Sequence, residues 1–576
     1  MLRRFVLASF AERTALRCGA GVVMVSSLVF VLGLGGGLTR PWLFGVLALG
    51  VILAVAHAPR RLSFGGSPVA IVVAILVVAP IVLQVFYPPV DWDATSYHLA
   101  AAKLYLASHH LVVTPYLRYP VFPQFHEMLF TLALGTFGDV AAHGMTFLAW
   151  VGTALALWAA GTRLGVRTAG ALAAALWIGS PTALVVGTIA YVDVPLTFLV
   201  TLAGLCWIVY RHEPRGRWAA LAGAFAGAAA ATKYSGLFFA GAFAFAFFFT
   251  APAQRRMRHV TLFAGLAALI GVPWYARNAL LSGDPLFPFL AHVFPNRFWN
   301  AADLAMQVNE LQRQASHSWW DFLLLWGRLA FDQGLFVGPE DMFSPALWIP
   351  LPLLLWARWK SVPERVLLLI ALAFVGVWFL GSPSGRYLLP VIPLLCLGMG
   401  ATLASFFELL RMRFRVALPA ILVAVLLALP GTQYAWARTR ARGLPPVTPA
   451  ERDAFIARAY PTYPLYVWVA HHLDGERRIY GWRDSPLAYY SPGTFVGDWF
   501  GPARYSAVES ALPYPGRLHD VLWNLGIDYF VVPDANGPVD LGFEEGDPFA
   551  VLVLVHAGPG GRIFRIEDRA AVPPKS

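Results

Sequence analysis

Residues 70–86 read AIVVAILVVAPIVLQVF, and residues 87–98 read YPPVDWDATSYH. The first string is an apolar run of nearly membrane-spanning length. The second places Asp91 and Asp93 one residue apart at its mouth. Carboxylates at membrane depth are costly, so ionisable residues there are functional candidates by default. Across an extended stretch and a helix start the two aspartates cannot face the same way, so one can act while the other positions. The competing reading makes Asp93 a helix N-cap and leaves Asp91 solvated.

The whole chain fits this reading. Its 576 residues are 58% hydrophobic and 13% charged, with a mean hydropathy of +0.61, whereas a soluble domain carries about 25% charged residues. We therefore expect an all-α polytopic membrane protein. Thirteen apolar runs are read as spans, near 18–38, 41–58, 67–88, 139–160, 168–188, 194–210, 217–232, 234–250, 259–275, 345–357, 364–381, 387–409 and 416–433. The run from Gly19 to Leu38 is long for a signal peptide and lacks a clear small-residue cleavage site, so it reads as an uncleaved first helix. Cys18, Cys206 and Cys396 are far apart and read as small buried hydrophobes.

Basic clusters test the topology. They occur at Arg60 and Arg61, Arg163 and Arg167, Arg211, Arg215 and Arg217, Arg255, Arg256 and Arg258, Arg358, Lys360 and Arg365, and Arg411, Arg413 and Arg415. Each falls in an alternate loop, on the side of the basic N-terminus, as cytoplasmic loops require. This distribution accounts for the net charge of +11 without nucleic acid. It puts the N-terminus in the cytoplasm and the C-terminus outside. The expected membrane module is 1–437, with outer loops 87–139 and 277–344. Residues 438–576 gain Asp, Glu, Pro and Tyr. Strand-like runs at 529–532 and 551–555 lie between or beside helix-like segments at 449–473 and 516–525, so a small extracytoplasmic α/β domain is expected.

The remaining informative polar residues fall at the outer ends of spans. In the first loop, residues 95–107 suit a short amphipathic helix lying at the interface, with Tyr97 and Lys103 on different sides. His126 and Glu127 open the next apolar run. Asp193 precedes Pro195 by two positions, the spacing of a helix cap, and stands on the same face as Asp93. Lys233, Arg277 and Arg386 are isolated cations at helix mouths, readable as snorkelling anchors. Together they offer carboxylates for an acceptor hydroxyl and cations for a departing phosphate. Such a set suits sugar transfer from a polyprenyl-phosphate donor. Asp91, Asp93, His126 and Glu127 are metal ligands by type, so a divalent cation is a candidate, though none is required.

Five strings, in order, carry a resemblance. They are Asp93-Ala94-Thr95-Ser96-Tyr97-His98-Leu99 with Lys103-Leu104-Tyr105-Leu106; Tyr191-Val192-Asp193-Val194-Pro195-Leu196; Ala231-Thr232-Lys233-Tyr234-Ser235-Gly236; Pro273-Trp274-Tyr275-Ala276-Arg277-Asn278 with Gly283-Asp284-Pro285; and Arg386-Tyr387-Leu388-Leu389-Pro390. This order resembles the bacterial GT-C glycosyltransferases related to protein O-mannosyltransferases and to the aminoarabinose transferases of lipid A. The resemblance implies inverting transfer at the periplasmic face of the inner membrane, to an acceptor glycan, lipid or protein. It implies Asp93 as base, with Asp91 and Asp193 accessory, and Lys233, Arg277 and Arg386 on the lipid phosphate. Tyr97, His98, Lys103, His126 and Glu127 are the expected substrate contacts. The family often has Asp-Glu in this loop, where this chain has Asp-Trp-Asp. Two other classes fit the topology: a transporter or flippase of lipid-linked saccharide, and a non-catalytic binder of polyprenyl-linked glycan. Ionisable residues at helix ends, with no visible repeat, favour the transferase.

Overall fold

The computed structural model describes residues 9–56, 68–165, 167–313, 318–331, 362–381, 383–409, 417–473, 475–497, 503–537, 539, 541 and 552–568. In chain order its helices are α1 Phe10–Leu34, α2 Arg40–Ala56, α3 Pro68–Leu83, α4 Leu99–Ser108, α5 Glu127–Thr136, α6 Asp139–Arg163, α7 Arg167–Ile178, α8 Pro181–Gly187, α9 Asp193–His212, α10 Gly216–Thr232, α11 Gly236–Thr250, α12 Arg256–Ser282 and α13 Ala301–Arg313. They continue with α14 Trp319–Leu323, α15 Leu325–Phe331, α16 Val362–Leu380, α17 Ile392–Leu409, α18 Ala417–Arg442, α19 Pro449–Ala459, α20 Tyr463–His472, α21 Ala503–Ala511 and α22 Pro515–Asn524. The strands are β1 Arg478–Gly481, β2 Thr494–Val496, β3 Tyr529–Pro533, β4 Leu552–Gly558 and β5 Gly561–Ile566.

The chain divides into two compact units. One comprises Met1–Tyr87, Pro123–Arg277 and Leu311–Pro445; the other comprises Pro88–Phe122, Asn278–Glu310 and Pro446–Ser576. The expected first outer loop is thus divided. Its first part belongs to the second unit, and the segment from Pro123 through α5 belongs to the first.

In the first unit, each apolar run read from the sequence coincides with helix, except 345–357, which lies outside the described residues. Among the described residues, six helices are long and apolar enough to cross a membrane, and seven if the α7–α8 pair is one broken span. Shorter apolar helices accompany them at Arg40–Ala56, Ile75–Phe86, Glu127–Thr136, Gly236–Thr250 and Arg365–Leu380. The α7–α8 break bends by 71°. Its cause is local: Ser180 caps α8 by accepting from Ala183 N, and Pro181 occupies its first turn.

The best-buried helix is α9, whose apolar window is wholly enclosed. It is hydrophobic on every side, as a central helix should be. Around it, small residues let backbones approach closely. A Cβ on Gly227 of α10 would stand 2.4 Å from the Ala267 carbonyl oxygen of α12, and one on Gly161 of α6 would stand 2.3 Å from Gly170 N of α7.

Two expectations at the N-terminus are corrected. Helix α1 begins at Phe10, not near residue 18, because Ser9 caps it by accepting from Glu12 N at 3.1 Å. Glu12 is buried and accepts from Arg163 Nε at 2.8 Å and Nη2 at 2.6 Å, so Arg163 is an ion-pair partner as well as a topology charge. Cys206 and Cys396 are buried as expected, but Cys18 is exposed, because α1 turns Ala15, Leu16 and Gly19 inward instead.

The second unit is built on a five-stranded sheet of order β2-β1-β3-β5-β4. Strands β2, β1 and β3 run parallel, while β5 is antiparallel to both β3 and β4. Alternate residues face opposite sides. Tyr480, Phe530, Val532 and Phe564 join Leu518 and Leu522 of α22 in one core. Ile479, Tyr529, Val531 and Ile563 join Leu465, Tyr466 and Val469 of α20 in the other, together with Ala100 of α4. Helix α4 is therefore a packed element of this unit. Five of its ten residues are buried.

Beyond β1, Asp484 is buried and accepts from the Tyr466 hydroxyl at 3.0 Å. Burial lifts its carboxyl from the usual carboxylate range to about 7, against hydrogen bonds from Tyr466 and Thr462 that favour the charged form. Between about pH 4 and 7 the folded chain therefore holds a proton that the unfolded chain has released, so stability falls as pH rises through that window. Hydrogen exchange of β1 and α20 in the full-length protein, corrected for intrinsic rates, should show protection falling over that range. Asp484→Asn should flatten the dependence.

Candidate functional site

The first-loop candidates from Asp91 to Lys103 lie in the second unit, and its own C-terminal segment fixes them. The Tyr460 hydroxyl donates to the Val90 carbonyl at 2.6 Å, and the Tyr490 hydroxyl to the Pro89 carbonyl at 2.6 Å. Tyr489 N donates to the Thr95 carbonyl at 3.0 Å. The Asp91 carbonyl accepts from Thr95 N at 3.1 Å and from Thr95 Oγ1 at 3.2 Å. The Arg118 guanidinium stands 4.9 Å from the ring centroids of both Trp92 and Tyr119.

Asp91 and Asp93 are both buried. Asp93 directly precedes a five-residue π-helical turn, Ala94–His98, and its side chain makes no capping bond. The cap reading for Asp93 is therefore not realised. Single π-turns interrupt α-helices at a structural cost and recur at functional sites. Within this turn Tyr97 sits edge-on to Tyr119 at 5.4 Å and to Phe122 at 5.9 Å, with the His98 ring 4.3 Å away. Lys103, expected as a substrate contact on a polar helix side, is tied to the C-terminal segment. Its ammonium donates to the Tyr489 carbonyl at 2.9 Å and the Ser491 carbonyl at 2.7 Å. Nothing but the abundance of Tyr in the C-terminal segment hints at this stitching.

The cations lie in the first unit. Asp193 opens α9 without capping it; the N-cap position is Val192 and carries no side-chain bond. The Asp193 carboxylate instead accepts from Lys233 Nζ at 2.6 Å. Lys233 ends α10 in an extended conformation (φ −157°, ψ 146°). Its ammonium stands 3.9 Å from the centroid of the Tyr387 ring. The Arg386 guanidinium lies 5.0 Å from the Tyr191 ring and 5.2 Å from that of Tyr387. Arg386 and Tyr387 belong to a 3-10 turn, Gly385–Val391, which packs against α8 and α9. Cations over desolvated aromatic faces gain about 2 kcal/mol each. The sequence drew attention to the cations but assigned no role to Tyr191 or Tyr387.

Two further strands of chain reach the same end of α10. The Tyr275 hydroxyl of α12 donates to the Ala230 carbonyl at 2.7 Å, and Arg277 follows two residues later on α12, its guanidinium 5.9 Å from the Trp274 ring. Arg277 is 6% exposed, and neither Nη1 nor Nη2 has a hydrogen-bond partner among the described residues. Phe125 N donates to the Ala231 carbonyl at 3.0 Å, so the fully buried His126 and Glu127 follow just beyond. Among the described residues no group of three or more His, Cys, Asp or Glu could hold a metal ion.

Comparison with known proteins fits this arrangement. Residues 118–276, which include His126, Glu127, Asp193 and Lys233, match the family model described as dolichyl-phosphate-mannose-protein mannosyltransferase. The structure of ArnT from Cupriavidus metallidurans bound to undecaprenyl phosphate aligns with a TM-score of 0.58 at 17% identity, covering 88% of this chain and 99% of that one. The chain shares the ArnT fold. A second solved structure, the Archaeoglobus fulgidus oligosaccharyltransferase in complex with Zn and sulfate, aligns with a TM-score of 0.54 at 15% identity, over 81% of this chain and 68% of that one. An uncharacterised Shigella flexneri protein, SF2092/S2214, is 28% identical over 156 residues, which is 27% of this chain and 78% of the relative. Residues 451–557 match a family model described as SF2091/S2213.

Proposed function

We propose that this chain transfers a sugar from a polyprenyl-phosphate donor to a hydroxyl of an acceptor glycan, lipid or protein, with inversion. The reaction takes place at the periplasmic face of a bacterial inner membrane, with the N-terminus in the cytoplasm. The acceptor oxygen attacks the anomeric carbon, the bond from that carbon to the phosphate oxygen breaks, and Asp93 takes the acceptor's proton. Polyprenyl phosphate leaves with the bonding electrons. Arg277, Lys233 and Arg386 take up its charge, which grows in the transition state and is where fixed cations act most strongly. Asp91 positions the loop beside the base. Asp193 holds Lys233 in place rather than touching the acceptor.

One observation carries this reading: the buried Arg277 guanidinium without a hydrogen-bond partner among the described residues, on the helix whose Tyr275 bonds the Ala230 carbonyl of α10. A buried guanidinium without acceptors costs free energy, and a phosphate supplies matching ones. ArnT, which shares the fold, has been solved with a lipid phosphate of the proposed class.

A double-mutant cycle on Asp193 and Lys233 tests it. Lys233→Met should raise the donor KM by about 10–100-fold, because it removes a cation and strands the Asp193 carboxylate. Adding Asp193→Asn should restore part of that loss, with a coupling of about 1–3 kcal/mol. An unchanged donor KM in Lys233→Met would remove it from the phosphate site. Strictly additive effects would remove Asp193 as its holder.

A further inference from the structure

The opposite end of α10 carries a second basic site. Seventeen residues separate it from the Lys233 cluster, about 25 Å at the helical rise. There a cavity of about 350 Å³ is lined by Arg215, Arg217, Arg255, Arg258, His259 and Leu262 around Gly216. A Cβ on Gly216 would meet Leu262 Cδ1 at 2.7 Å and His259 Cδ2 at 3.2 Å, so glycine keeps the loop close over the cavity. His259 is buried, and its Nδ1 bonds the Tyr210 hydroxyl at 2.7 Å.

Cytoplasmic loops collect arginines in any case, but their placement here is electrostatically unfavourable. Helices α10 and α12 both begin at this cavity, and neither has an acidic residue in its first turn. Helix N-termini are positive and stabilised by anions, yet both carry arginine there. Glu213 is the neighbouring carboxylate, 3.7 Å from Arg215 Nε and 3.5 Å from Arg217 Nη2. One carboxylate does not balance four guanidinium groups, with Arg211 and Arg256 close by in sequence. A bound anion would satisfy both helix ends and the arginines together.

We infer that this cavity binds the phosphate head group of an anionic phospholipid, such as the two phosphodiesters of cardiolipin. The surroundings favour a lipid over a soluble phosphate. Phe249 at the end of α11 is 72% exposed, and Met257, between cavity-lining and neighbouring arginines, is 66% exposed. The Arg256 guanidinium lies 5.2 Å from the Phe248 ring. Apolar surface beside a basic pocket at a helix end is what a head group with its acyl chains requires. The site is independent of the proposed sugar transfer and needs no turnover to be measured.

Native mass spectrometry of the full-length protein, delipidated and then titrated with dioleoyl cardiolipin, tests the assignment. Wild type should retain the lipid, and Leu262→Glu, which sets a carboxylate among the arginines, should retain about tenfold less. Should Leu262→Glu fail to fold, the pair Arg215→Gln and Arg258→Gln reads the same quantity while leaving Arg211, Arg217 and Arg255 to preserve the charge bias of the face. A parallel titration with inorganic pyrophosphate separates the two phosphate sources. Cardiolipin retention undisturbed by pyrophosphate supports the lipid assignment, whereas displacement with equal binding of pyrophosphate overturns it in favour of a soluble anion. Equal cardiolipin retention by wild type and variants overturns the site itself.

Discussion

Asp93→Asn is expected to lower turnover by about 10²–10⁴-fold, the range that general-base catalysis supplies, while donor binding and expression stay near wild type. The separation of these effects is the point. Asp93 is buried ahead of the π-turn, and its side chain does not cap that helix. The isosteric amide should therefore leave the turn standing, because the backbone bonds of Asp91, Val90 and Pro89 hold the loop. Single-turnover rates at saturating donor, with lipid binding measured in parallel, check this. Unaltered turnover would dismiss Asp93 as the base, and a loss confined to donor binding would move it to the phosphate side.

Arg277→Met carries the second large effect, and its two parts have opposite signs. Removing one charge-stabilising donor of a transition state typically costs about 10²–10³-fold in rate, and a loss of that order is expected here. Removing a buried guanidinium whose terminal nitrogens lack partners among the described residues should at the same time relieve a penalty of about 1–3 kcal/mol. The ligand-free variant should thus unfold at the same temperature as wild type or higher. Added polyprenyl phosphate should stabilise wild type but not the variant. Thermal unfolding with and without the lipid reads both. A lower unfolding temperature with intact donor use would make Arg277 a structural residue.

These expectations rest partly on what the chain declares in its sequence and partly on what it conceals. Apolar runs were readable because membrane burial imposes one composition on a whole helix, as α9 and α17 show. The start of α1 was not, since Glu12 and Arg13 look like loop residues until Glu12 is paired with Arg163 across 151 positions. In the second unit, β3 and β4 stood out as apolar runs. Strands β1 and β2 have only four and three residues, and β1 pairs in parallel with β3 50 positions on, which leaves no local signal.

The candidate site divides in the same way. Asp193 and Lys233 were legible one by one, as an accessory carboxylate and a phosphate cation or as a cap and an anchor; their 2.6 Å ion pair, which joins positions 40 apart, was not. Tyr387 followed Arg386 in a quoted motif, but its service as an aromatic platform for Lys233 depends on how the 3-10 turn meets α9. Lys103 had the composition of a ligand contact and the geometry of a structural tie. The π-turn behind Asp93 had no signature, because its residues, Ala-Thr-Ser-Tyr-His, are unexceptional for an α-helix.

The most direct test of the central claim is a count of products from the purified wild-type protein in nanodiscs. A panel of polyprenyl-phosphate sugars would be supplied with an extract of candidate acceptors, and free polyprenyl phosphate and glycosylated product would be measured together. Sugar transfer predicts that one donor yields both, one polyprenyl phosphate for each sugar transferred. Binding of the donors with no release of polyprenyl phosphate from any of them would contradict the account and leave a lipid-glycan carrier or binder in its place.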